Sequence, residues 1–421
     1  MDYTGQVKSP FINGEAKLSV GKDALTLITP LDVHAIPYVD VTAIQMEGYA
    51  VKITTETEAF AITQLGFDCE RLYDEVYAAY NAEVRRALFA HGTPTVTARG
   101  EYSYTENGIS VRGNALFEVY GDCVLLFPPN DKARRVPLCF VAALEQRDYR
   151  LTLRLDTGES YTFSKLGYDT EPFSDAIAKQ LRTLRENAIK AARDIDGRLT
   201  SVQAAAIAKL MPEGVAVSIG ALSAVAPSFV KALEEKIKES RSAESYAVLK
   251  SICDPAQICV GIKKRFAEWR PVETAEDGEE GDETAAMDVP ATEDCSSEVE
   301  SGDECEPDEY MVWMIAPGSN GNTAAVEFAV APNESAATFI YRFGGGFEAF
   351  ARTLNRAVEA IAFKREIIRL TDNELRKPEY AKYAMAIRRN GSLRLIRQSF
   401  AGRVIHSSME KWKRDLLSYM G

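Results

Sequence analysis

Six basic residues between positions 132 and 154 could together hold an anion. Lys132, Arg134 and Arg135 fall in a turn, and Arg147, Arg150 and Arg154 lie on or near the wet face of neighbouring strands. Guanidinium groups offer forked N–H donors to phosphate or carboxylate, although a solvated surface would place the same residues outward. Gly344-Gly345-Gly346 precedes a helical pattern, where helix N–H groups attract phosphate. No Gly-Lys-Ser/Thr follows, and a tight strand-to-helix turn accounts for the glycines. The three histidines, His34, His91 and His406, have no His or Cys at ligand spacing, and Cys253 with Cys259 fits a core pair better than a metal site. No metal or cofactor is therefore expected. No Gly-x-Ser-x-Gly occurs. The acid pairs Glu70/Asp74 and Glu171/Asp175 have the spacing of a solvated helix face. No catalytic constellation emerges, so an enzyme is not expected; a site assembled from distant residues stays open.

The elements that position these residues come from a duplication. Tyr49-Ala50-Val51-Lys52-Ile53 returns as Tyr149-Arg150-Leu151-Thr152-Leu153, and Leu65-Gly66-Phe67-Asp68 returns as Leu166-Gly167-Tyr168-Asp169. Leu72, Val76 and Tyr80 return as Phe173, Ile177 and Leu181. The offset grows from 100 to 101 residues across Asp156-Thr157-Gly158-Glu159, which is turn chemistry between two strands. Alternation of period two marks half-buried strands, including Tyr49, Val51 and Ile53. The spacing of four that follows marks one helix face. Leu25-Thr26-Leu27 and Val124-Leu125-Leu126-Phe127 are further strands. Ile36-Pro37 and Val136-Pro137 mark strand edges, because proline cannot donate to an inner ladder. If the Tyr168 ring is buried at its turn, removing it would cost about 3 kcal/mol.

Several short antiparallel strands followed by one amphipathic helix resemble the pleckstrin-homology-like (PH-like) fold, over residues 15–92 and 100–198. The resemblance implies an α+β chain of tandem PH-like barrels, each capped by its C-terminal helix, with a helical insert and a helical C-terminal tail. Some members of the family that it resembles bind phosphoinositide headgroups through a basic first hairpin loop. Here that loop of the first unit offers only Lys22 beside Asp23, so the pattern is not matched.

The expected divisions are unit 1 over 1–92, unit 2 over 98–198 and a helical connector over 199–243. A diverged third PH-like unit would span 244–370, with Tyr246–Leu249 and Ile258–Ile262 as strands and Phe347, Phe350, Leu354 and Val358 as its helix stripe. A basic helical segment would close the chain over 371–421, where 11 Lys or Arg face 5 acids. Within the third unit, residues 273–309 hold 17 acids and no Lys or Arg; set aside, they turn the net charge of −13 into +4. Residues 271–309 are expected to be a disordered loop, for want of apolar side chains to offset ordering entropy. Tandem PH-like units with an acidic run are similar in ground plan to the FACT-type histone chaperones.

No apolar run is long enough to span a bilayer, no secretory signal opens the chain, and seven cysteines form no Cys-x-x-Cys pair, so a reducing cytoplasm is expected. The expected function is a non-enzymatic interaction or scaffold protein whose acidic loop meets a basic protein partner. The alternative is an anion reader that binds a phospholipid headgroup or nucleic acid through unit 2 and the C-terminal helices.

Overall fold

The alternation that marks the duplicated unit builds one strand order twice. A computed structural model describes residues 2–106, 108–240, 242–264, 310–328, 337–406 and 408–421. In the first unit, β1 (Asp2–Lys8), β2 (Asn13–Val20), β3 (Ala24–Ile28), β4 (Val33–Pro37), β5 (Val41–Glu47), β6 (Ala50–Thr55) and β7 (Ala59–Thr63) form an antiparallel sheet in the order β4-β3-β2-β1-β7-β6-β5. Helix α1 (Cys69–Ala87) follows. In the second, β8 (Val96–Glu106), β9 (Ile109–Val119), β10 (Cys123–Phe127), β11 (Arg134–Pro137), β12 (Val141–Arg147), β13 (Arg150–Leu155) and β14 (Ser160–Ser164) repeat that order, and α2 (Thr170–Ile195) follows. The proline-ended strands β4 and β11 lie at sheet edges, as the missing N–H requires. Both copies bury equivalent side chains: Val51 and Leu151, Ile53 and Leu153, Val76 and Ile177 are at most 1% exposed. Burying side chains of this size contributes about 1.5–3 kcal/mol each.

The turn from last strand to helix is also repeated. Gln64 and Gly66 have positive φ, and so do Lys165 and Gly167. Gly tolerates that region because it lacks a Cβ. Within the turn, Leu65 and Leu166 are buried, whereas Phe67 and Tyr168 are fully exposed. Burial of Tyr168 is thus corrected: the left-handed glycine turns the following ring outward. Tyr49 and Tyr149 are likewise 84% and 82% exposed, because they sit in the turn before β6 and β13 rather than in the strand alternation.

The rest of the chain is built differently. Helix α3 (Ser201–Leu210) starts on a capping box between Thr200 and Gln203. Strand β15 (Val217–Ser218), α4 (Ile219–Val225), α5 (Pro227–Glu239) and α6 (Ala243–Ile252) follow. The strand expected at Tyr246–Leu249 is corrected to part of α6: Tyr246 and Leu249, three apart, share a buried face with Leu233 and Ile237 of α5. Strands β16 (Cys259–Lys264), β17 (Tyr310–Pro317), β18 (Thr323–Phe328) and β19 (Ala337–Arg342) lead to α7 (Phe347–Ala360), α8 (Glu366–Arg369), α9 (Ala381–Arg389) and α10 (Gly391–Ser399). Strand β20 (Phe400–Ile405) and α11 (Met409–Met420) end the chain.

Sheet order here is β15-β16-β17-β18-β19-β20, not the order of the first two sheets. The third copy is therefore corrected to a different sheet. The C-terminal segment is corrected from all-helical to one that contributes an edge strand, β20, to that sheet. Both faces of the sheet are covered: Trp313, Val326 and Phe339 meet α7 and α10 on one side, while Met314, Ala325 and Ile340 meet the connector helices and α11 on the other. That explains strands that are apolar at successive positions. The expected disordered loop, 271–309, lies outside the described residues. Among the described residues no helix is long and apolar enough to cross a membrane.

Candidate functional site

The six basic residues nominated from the sequence do not share one setting. Lys132 Nζ sits 3.1 Å from Asp131, and Arg134 Nε lies 3.1 Å from Glu106 with its guanidinium over the Tyr104 ring. Arg154 pairs with Glu145 at 3.2 Å. Arg147 and Arg150 face each other across the β12–β13 hairpin, both exposed, and neither has an acidic partner among the described residues. Arg135 is only 5% exposed and lies where its own sheet meets the end of α1 and the helix α7.

That junction is built from side chains that the fold aims at one another. Arg135 on β11 donates from Nε to Glu359 of α7 at 3.0 Å and from Nη2 to Asp122 at 2.7 Å. Its Nη1 reaches the Leu88 and Phe89 carbonyls just past α1, at 3.4 and 3.3 Å, and the Cys123 sulfur. Arg356, also on α7, donates to Glu159 in the β13–β14 turn, to Glu359 and to the Arg135 carbonyl, at 3.0, 3.3 and 3.0 Å. Burial by itself would lower the pKa of Arg135, but the Glu359 and Asp122 carboxylates outweigh it and hold the guanidinium charged. Burial would raise the Asp122 carboxyl, and the Arg135 charge and hydrogen bonds bring it below the usual carboxylate value. Chemically this is a charge-satisfied clamp, and its donors are spent within the protein. Beside it a small cavity lined by Leu88, Arg134, Arg356 and Arg389 has room for about one water.

A second polar cluster ties the end of the chain to the third sheet. Thr338 donates to Glu327 at 2.7 Å, accepts from Trp412 Nε1 at 2.9 Å and contacts His406 Nε2 at 3.0 Å. His406 Nε2 is also 3.4 Å from Glu327. Hydroxyl and carboxylate meet the same imidazole nitrogen, so the ring cannot relay a proton between them as a nucleophile–base–acid chain does. Thr338 is fully buried, which suits a structural knot. His34 packs at a tilt against the Phe60 ring and stands 3.8 Å from Glu58. Among the described residues no three His, Cys, Asp or Glu side chains group as metal ligands.

Two surface features went unnoticed in the sequence. The first is a pair of aromatic corners. Tyr149 directly precedes Arg150, which pairs with Ser164, and Tyr168 lies four residues beyond, so both rings stand at one end of the second sheet. Tyr49 and Phe67 hold the matching places on the first. Their repetition was visible, but helix–turn punctuation disguised exposed rings as anchors. The second feature is an edge. In the first unit, β5 is extended by a segment of the second: Ile44 N–H donates to the Pro129 carbonyl, and Asp131 N–H donates to the Thr42 carbonyl, both at 2.9 Å. Tyr77 and Tyr80 of α1 donate to the Phe127 and Asn130 carbonyls at 2.6 and 2.9 Å. The matching edge, β12, has no such neighbour among the described residues.

No protein-family model matches the chain, and no curated protein does. Among solved structures, that of the Spt16D Pob3N heterodimer matches with 13% identity and a TM-score of 0.16, covering 41% of this chain and 86% of that one. Such a score is too low to bear on fold or function.

Proposed function

We propose that this protein is a non-enzymatic, intracellular interaction scaffold in which two PH-like units and a third sheet are locked together to present surfaces to protein partners. The observation that carries this reading is the pair of aromatic corners. Phe67 and Tyr168, with Tyr49 and Tyr149, leave four large rings at equivalent places, each more than 80% exposed among the described residues. Exposed aromatic surface of this kind is typical of contact sites. The buried clamp at Arg135 and Arg356 supports rigidity, because it fixes the units relative to one another. The acidic segment 273–309 suits a basic partner by charge.

The test immobilises the full chain and a variant carrying Phe67→Ser and Tyr168→Ser, and compares the proteins that each captures. Specific capture by the wild type that the variant loses supports the scaffold. Identical capture by both overturns the role of the corners.

A second reading rests on the charge of one corner. Around Tyr149 and Tyr168 stand Arg147 and Arg150, an arrangement that could stack a base and hold its phosphate. The matching corner of unit 1 has Lys52 paired with Glu47. Single-stranded oligonucleotide and anionic vesicle binding across a salt series tests it, since phosphate contacts weaken steeply as salt rises. Binding that is absent at low salt removes this reading.

A further inference from the structure

We propose that the open edge of β12, with the adjoining face of α2, binds an extended acidic peptide of a partner protein, added as an antiparallel strand. This deepens the scaffold reading and rests on it. The duplicated unit supplies its own precedent. On the first sheet the edge groups Thr42 O and Ile44 N are taken by the 129–131 segment, which forms an antiparallel bridge from Asn130 to Ala43. The second sheet has the same strand register and the same bulge, between Val141 and Ala143 as between Val41 and Ala43. Ala142 O and Leu144 N hold the equivalent positions and have no backbone partner among the described residues.

Burial follows occupancy. Ile44 is 0% exposed beneath its added segment, whereas Leu144 is partly exposed and Ala142 exposed. An exposed strand edge is a template for another chain.

The helix side of the groove indicates the occupant. Tyr77 and Tyr80 of α1 become Ala178 and Leu181 in α2, both half-buried. Two carbonyl-binding hydroxyls are thereby replaced by smaller, apolar side chains. A strand seated there meets Leu144, Ala178 and Leu181 with apolar side chains. In unit 1, Tyr77 and Tyr80 meet Phe127 and Asn130 in turn, on a segment that runs antiparallel to β5, so α1 is antiparallel to β5; the repeated fold sets α2 the same way against β12, with Ser174 of α2 bonded to Gln146 at 2.8 Å. Arg147 then marks one end of the groove and Arg182 and Arg185 the other; all three are exposed and lack an acidic partner among the described residues. Alternating apolar and acidic residues in an extended chain match that pattern.

An array of nonapeptides alternating Val or Leu with Glu or Asp, beside arrays with Gln or Lys in place of the acids, is probed with the full-length chain. The best acidic peptide is then titrated against wild type, Leu144→Pro and Ala178→Glu. Leu144→Pro removes the edge donor, and Ala178→Glu fills the groove with like charge without touching the sheet. The expected result is binding restricted to the acidic array, slowed amide exchange along Ala142–Arg147, and affinity reduced about tenfold in each variant that keeps its denaturation midpoint. The proposal is overturned if no acidic peptide binds, or if Ala178→Glu binds as wild type does. It is equally overturned if β12 is protected by an oligonucleotide in place of peptide, or by concentration-dependent self-association without it. Capture through Phe67 and Tyr168 is untouched by any of these outcomes, so the scaffold reading can survive the loss of this site.

Discussion

The two duplicated units bury the same inward residues and differ in nearly everything outward. Position 35 is Ala in unit 1 and its counterpart is Arg135 in unit 2. The outward faces of β3 and β10 differ in the same way. Thr26 pairs with Ala35 as Leu125 pairs with Arg135, and Ile28 is exposed where Phe127 is fully buried. Asp23 is 76% exposed on its side chain beside Arg86, while its counterpart Asp122 meets Arg135. The inward pattern specifies the sheet, whereas the outward pattern decides which unit is glued to its neighbours and which is left with an open edge.

The most damaging way to break that asymmetry is to give unit 2 the residue of unit 1. Arg135→Ala leaves the buried Glu359 with Arg356 as its one remaining guanidinium partner among the described residues, takes the charge partner from the half-exposed Asp122, and frees the carbonyls past α1. A loss of about 3–5 kcal/mol is expected, as for any buried ion pair robbed of one partner. Urea denaturation measures it, and a midpoint within error of wild type would show that the clamp is ornamental. Leu125→Thr makes the matching swap on the apolar side. Leu125 packs with Tyr77, Tyr80 and Val84 of α1 in one core, so a cost of about 3 kcal/mol is expected. The reverse change, Thr26→Leu, places a methyl-rich side chain on a half-exposed face and should alter stability by no more than about 0.5 kcal/mol. Equal effects from the two would erase the distinction between glued and free faces.

Acid sharpens the same contrast. Asp122 has its folded-state pKa lowered, so the stability it contributes is fully present above the ordinary carboxylate pKa and is lost as pH falls through the lower, folded value. Stability measured from pH 6 downward should fall in the acid range, and Asp122→Asn should flatten part of that fall. A 38% exposed side chain keeps the effect modest, since solvent screens it. An unchanged acid limb in Asp122→Asn would remove Asp122 from the clamp.

How much of this was visible in the sequence follows from which neighbour buries each residue. Val51, Leu151, Val76 and Ile177 are buried by their own unit, and local periodicity revealed them. Arg135 is buried by two other units, and nothing within a few residues distinguishes it from Arg150. A clue did exist: Val124–Phe127 is apolar at four successive positions where unit 1 reads Leu25-Thr26-Leu27, and a strand covered on both faces has that form. The third sheet was less legible, because its neighbours β19 and β20 are separated by four helices. The open β12 edge was invisible to sequence, since it is defined by a backbone partner that its twin possesses.

The smallest effect is expected where the twins agree. Phe67 and Tyr168 stand outside both cores, and replacing either ring with Ser should change stability by less than about 0.5 kcal/mol. In an ordinary core such a change costs about 3–5 kcal/mol, so the measurement separates an exposed ring from an anchoring one decisively. Gly167→Ala, one residue away, provides the contrast: its φ of +60° is unfavourable for any residue with a Cβ, and about 1 kcal/mol should be lost even though the added methyl meets open space. If the glycine change costs stability and the aromatic change does not, the turn exists to aim the ring rather than to bury it. A ring that both copies aim into solvent, at no benefit to either core, is then available to a partner.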